Sequence, residues 1–182
     1  MEGTVIQETR RDGLGRLLCD VLGVLLGLAF LTAGLFLLSG TIDYARYGGT
    51  GGRHINSAIG CALGVAALLL LSICLAVPTK LYEGKRLRIA GQLAASLTSA
   101  VTVASVLLPI VVMVSLSMSA PEPGDVAGMV GFAVIIIGLA AAVVFLPCTW
   151  ILARKSKMRL AHLAIGTMVA GAAGGLLGYL CY

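Results

Sequence analysis

Charged residues gather in short clusters along this chain, and between the clusters lie five long apolar runs. They cover about residues 17–40, 57–78, 89–120, 126–153 and 160–182. The first, LLCDVLGVLLGLAFLTAGLFLLSG, carries one internal acid, Asp20. A bilayer core about 30 Å thick is crossed by roughly 20 apolar residues in a helix rising about 1.5 Å per residue. Each run meets that length, so the pattern predicts five transmembrane helices, or four with a peripheral fifth because the last run is rich in glycine. The linkers between them, TIDYARYGGTGGRHIN, TKLYEGKRLR, PEPGD and RKSKMR, are short. Short connections predict that successive helices pack as antiparallel hairpins.

Composition agrees with the pattern. Hydrophobic residues make up 59% of the chain and charged residues 12%, and the mean hydropathy is +1.02. Soluble domains carry roughly a quarter charged residues. The expected architecture is therefore all-α: a polytopic helix bundle forming one transmembrane domain over residues 1–182, of which 1–16 form a short cytoplasmic N-terminal segment. The loops leave no room for a soluble domain.

The distribution of the thirteen Lys and Arg residues sets the expected orientation. With the N-terminus in the cytoplasm, all but Arg46 and Arg53 fall on the cytoplasmic side, as the positive-inside rule requires. Tyr44, Tyr47, Tyr179 and Tyr182 then stand at the outer interface, and Tyr82 and Trp150 at the inner one, in the manner of an aromatic belt. The first run is longer than a cleaved signal sequence needs and reads as a retained signal anchor. The expectation is an integral protein of the secretory pathway or plasma membrane with an extracytoplasmic C-terminus. Its basic inner loops, EGKRLR and RKSKMR, should draw anionic inner-leaflet lipids at about 1 kcal/mol per charge. Nothing in the sequence points to nucleic acid.

Small residues recur at helical spacing. Gly166, Ala170, Gly174 and Gly178 repeat every four positions in the last run, with Gly171 and Gly175 beside them. Gly23 with Gly27 and Gly60 with Gly64 form shorter seams. Lipid tails are as apolar as leucine, so helices gain by meeting only where small side chains let their backbones approach. Such seams mark close packing, within the chain or against a neighbour.

Polar chemistry inside the runs is sparse. Thr98, Thr102, Ser105 and Pro109 share a stripe of the third helix, where Pro109 frees the carbonyl of Ser105 and predicts a kink. The stripe reads either as the wall of a polar pathway or as a kinked core helix with hydroxyls bonded to their own backbone. Asp20 and His162 are the two ionisable residues within the runs; equal depth near the inner surface permits a pair between them. Cys19, Cys74 and Cys148 lie near inner helix ends, where S-palmitoylation or burial as small hydrophobes are the two readings. The five cysteines fit no zinc spacing, and YGGTGG lacks the strand, helix and Lys-Ser/Thr of a phosphate loop. No cofactor or catalytic residue is expected. The function expected is that of a non-enzymatic accessory, scaffold or assembly partner working through its small-residue seams, as a homo-oligomer or with a larger membrane protein. The alternative is an oligomeric channel or transporter for a small solute or ion, and the third reading is a membrane-embedded lipid enzyme.

Overall fold

The computed structural model describes the backbone of residues 2–47, 52–119 and 126–181, and side chains within 13–44, 46, 58–118 and 128–180. Among these residues the fold is all-helical, with no strand. The helices are α1 (Glu2–Tyr47), α2 (Gly52–Ala76), α3 (Lys85–Ser119), α4 (Val126–Lys155) and α5 (Leu160–Cys181), with a short 3₁₀ helix over Thr79–Glu83 between α2 and α3. All five contain a stretch long and apolar enough to cross a membrane. The boundaries of α4 and α5 follow the apolar runs closely, whereas α1 extends past its run at both ends and α2 and α3 begin four or five residues early. The segment over 1–16 is helical from Glu2 and continuous with α1, because no proline interrupts it. At about 1.5 Å per residue this helix of 46 residues is about 69 Å long. Residues 48–51 of the YGGTGG stretch fall outside the described residues.

Pairing is partly as short linkers predict. α1 lies along α2 and α3 along α4, whereas α5 rests mainly on α3, with a smaller contact to α2, and not along α4. The RKSKMR connection explains this departure. α4 ends in a Schellman turn: the Met158 N–H donates to the Ala153 carbonyl at 3.0 Å and the Lys157 N–H to that of Arg154 at 3.3 Å. Lys157 sits at the left-handed position of this turn with φ 51°, a conformation usually left to glycine and costing other residues about 1–2 kcal/mol. The turn sends α5 across to α3. There Gly166 lies so close to Ser96 that a Cβ would overlap the serine hydroxyl, and the Thr167 hydroxyl donates to Ser99 Oγ at 2.8 Å.

Glycine seams bring the other pairs together. A Cβ at Gly23 would collide with the Leu75 carbonyl, and one at Gly27 would lie 2.7 Å from the Ser72 carbonyl oxygen. On α4, Gly131 meets Leu116 and Val112, and a Cβ at Gly138 would stand 2.7 Å from Pro109 Cγ and 2.9 Å from the Ser105 carbonyl oxygen. The close approach of Gly138 therefore covers the carbonyl that Pro109 leaves without a donor.

The buried core gathers at the end of the bundle where α2 and α4 finish and α3 begins. Leu71, Cys74, Leu75, Ala94, Ala95, Cys148, Ile151 and Leu152 form it, flanked by Phe30 and Phe145 with ring centroids 5.4 Å apart. Small Ala and Cys side chains bring the helix axes together there, while Leu and Ile fill the space between. This is also the end that carries most of the Lys and Arg, hereafter the basic end.

Candidate functional site

The site begins with a backbone problem. α2 ends at Ala76, shortly before Pro78, which has no N–H to give the Cys74 carbonyl, and every helix leaves its final carbonyls without intrahelical partners. At a buried end these groups need donors from elsewhere. The structure supplies them from two elements. The Tyr82 hydroxyl, on the 3₁₀ helix, donates to the Cys74 carbonyl. Lys155, the last residue of α4, donates from Nζ to the carbonyls of Leu75 and Val77, each at 2.8 Å. The same Nζ stands 3.4 Å from Asp20 Oδ1 of α1.

Lys155 is 1% exposed. An ammonium has three donors, and two carbonyls and a carboxylate account for them. Asp20 is held in turn by Thr79, whose N–H donates at 3.0 Å and whose hydroxyl donates at 2.5 Å to the same Oδ1. A cation at a helix C-terminus also complements the helix dipole. Lys155 thus caps α2 from another helix, and Asp20 balances its charge. Gly23 makes room for this arrangement, because a Cβ there would come within 2.7 Å of Lys155 Nζ.

Tyr82 is buried and lies against Gly91 of α3, where a Cβ would press on its ring. It is therefore a core residue and not a member of an interfacial belt. Burial, and after it the neighbouring Cys74, hold its phenol above the ordinary tyrosine value.

Around the cap opens a cleft of about 360 Å³. Asp20, Thr79 and Lys155 line it, and Arg16, Lys80, Arg154 and Lys157 bring four more cations, with Glu83 the other carboxylate. Arg154 is positioned from two sides: its guanidinium lies 5.4 Å over the Trp150 ring, and it passes close beside Gly15 of α1. Among the described residues, Asp20 with Lys155 is the only ion pair.

The residues singled out in the sequence divide among several fates. Asp20 meets Thr79 and Lys155 and not His162. His162 is exposed on α5, a helix that rests on α3 and α2 rather than on α1. The stripe on α3 faces α4. The Thr98 hydroxyl donates to the Ala94 and Ala95 carbonyls at 3.0 and 3.1 Å, and the Thr102 hydroxyl to the Thr98 carbonyl at 2.7 Å. Thr102 also stands 3.5 Å from the Thr149 hydroxyl. Hydroxyls bonded to their own helix, over Ser105 and Pro109 packed on Gly138, have the geometry of the core-helix reading.

Cys19, Cys74 and Cys148 are 2%, 1% and 0% exposed. S-acylation needs a reachable thiol, so burial runs against palmitoylation at all three, and they act as small packing residues. Of the small-residue seams, Gly23, Gly27 and Gly166 meet neighbours and Ala170 is half-buried, whereas Gly60, Gly64, Gly174 and Gly178 face open space.

Sequence reasoning missed the role of Lys155, which reads there as one cation of a loop cluster. Its signal was indirect: Pro78 announces a carbonyl without a donor. Comparison with known proteins finds no match: no family model fits the chain, and no curated protein or solved structure matches it.

Proposed function

We propose that this chain is an integral membrane protein that works by assembly, as a non-enzymatic accessory or scaffold subunit whose α5 packs against another transmembrane helix. One observation carries the reading. A Cβ at Gly171, Gly174, Gly175 or Gly178 would meet nothing within 4 Å, whereas Gly23 and Gly27 on α1 and Gly131 and Gly138 on α4 lie against a neighbouring helix. Small residues turned to lipid gain no close contacts; turned to another helix they do. The polar groups support the same reading, because the ion pair and the Thr hydroxyls serve the fold's own backbone. The charge asymmetry supports an orientation with the N-terminus and the basic end in the cytoplasm.

The test is the native mass of the full chain in lipid-preserving particles, with identification of what accompanies it. Assembly predicts a mass above one protomer, reduced by Gly174→Leu while the helical content stays unchanged. A single protomer without companions sinks the reading. A homo-oligomer that keeps its mass in the Gly174→Leu variant moves the interface off α5. It would turn attention to the oligomeric channel reading, tested by flux through Thr102→Val.

A further inference from the structure

The cleft at the basic end offers more charge than its own residues use. Lys155 and Asp20 neutralise one another at its floor, and every donor of that ammonium is taken. What remains around the mouth is Arg16, Lys80, Arg154 and Lys157 against the single carboxylate of Glu83. Cations held together in a partly enclosed space repel one another, and each remains without an ionic partner among the described residues. An anion entering the cleft would relieve that repulsion and gain charge-assisted hydrogen bonds.

Two of these cations carry features that single them out. Arg154 is stacked on Trp150 and lies across Gly15 of α1, so part of the entropy of ordering its side chain is already spent. Lys157 occupies the left-handed position of the Schellman turn, where glycine would sit without strain. Strain retained beside a cavity is the pattern found where a side chain serves a site.

Position specifies the ligand further. Lys155 is the last residue of the membrane-crossing stretch of α4, and Arg16 lies near the start of that of α1. The cleft therefore lies at the level where a bilayer's headgroups begin. Leu17 and Leu81, which follow the lining residues Arg16 and Lys80 in sequence, are each 61% exposed and offer apolar surface to an acyl chain. Its 360 Å³ falls in the range of about 300–1,000 Å³ usual for small-molecule sites. Three cations in excess match a multiply charged phosphate better than the single net charge of phosphatidylserine.

We propose that this cleft binds a phosphomonoester-bearing headgroup, the polar end of a multiply phosphorylated membrane lipid. The proposal goes beyond assembly through α5 and uses none of its residues. Arg154 and Lys157 on α4 and its turn, with Arg16 on α1 and Lys80 on the 3₁₀ helix, would hold the phosphates. The neutral pair of Asp20 and Lys155 forms the base.

Native mass spectrometry of the full chain in detergent tests it, with dioctanoyl phosphatidylinositol bisphosphate as probe. Dioctanoyl phosphatidylserine, dioctanoyl phosphatidylcholine and free inositol trisphosphate form the comparison arms. The expected result is one bisphosphate lipid per protomer, bound more tightly than either of the other lipids. Lys157→Gly removes a cation while relieving backbone strain, so lost binding in that variant cannot be charged to misfolding. Lys80→Gln does the same at an exposed position. Each is expected to weaken binding about fivefold, the equivalent of about 1 kcal/mol per cation, and the two together about 25-fold. Preference for the lipid over inositol trisphosphate assigns the phosphate to the membrane; equal binding supports the site and assigns it to a soluble phosphate. Equal binding of bisphosphate lipid and phosphatidylcholine, or undiminished binding in the double variant, overturns the proposal.

Discussion

At the scale of single residues, the chemistry of this protein centres on a lysine that a reading by charge alone assigns to a loop. Lys155 gives two donors to the end of α2 and faces Asp20. Removing it leaves two buried carbonyls and a carboxylate uncompensated. Lys155→Met is therefore expected to lower stability by about 3–5 kcal/mol, the usual cost of breaking a buried pair from one side. Asp20→Asn keeps an oxygen for Thr79 and is expected to cost about 1–2 kcal/mol. Thermal unfolding in detergent measures both, and the reverse order of cost would refute the capping role. Asp20 was legible because a charge in an apolar run is conspicuous. Its partner was not, since His162 and Lys155 stand at similar depth in sequence terms and only the packing of α5 on α3 separates them.

At the scale of elements, glycine spacing foretold close packing but not its address. Gly23 and Gly27 are pressed against α2, while Gly60 and Gly64, equally spaced, face open space. Gly23→Ala is expected to destabilise the α1–α2 pair by about 1–3 kcal/mol, the range for overpacked sites, because its Cβ has only backbone and Lys155 to push against. Gly60→Ala and Gly64→Ala are expected to be neutral or to stabilise by up to about 1 kcal/mol through the unfolded state. Paired denaturation curves check the contrast; equal effects at the three sites would contradict the packing described. The seam of α4 went unread because Gly131 and Gly138 stand seven residues apart, two helical turns, and the four-residue rule does not find them. The swing of α5 to α3 was equally hidden, since its cause is a left-handed lysine in a turn that ordinarily advertises itself with glycine.

At the scale of the whole molecule, helix number was legible because the length needed to cross a bilayer imposes run length directly on sequence, while the polar extensions of α1 beyond its run were not. The unevenness of the core was not, since apolar residues fill every helix and hydropathy is blind to which of them meet. The structure gathers its buried side chains at the basic end. Thiol reactivity reads this asymmetry: in a Cys181→Ser background, Cys61, which is exposed, should react with a small maleimide in the folded protein. Cys19, Cys74 and Cys148, all buried, should react only after unfolding. Fast labelling of any of those three would mean that the basic end is open.

The cap on α2 also sets a schedule for the chain's own manufacture. The Leu75 carbonyl is satisfied by a residue 80 positions downstream, and translation at about 5–20 residues per second separates the two by roughly 4–16 s. Through that interval the nascent α1–α2 hairpin has a terminus that only water or the insertion machinery can satisfy. Its basic end must wait at a hydrated boundary until α4 arrives, so the last turn of the fourth helix completes the second.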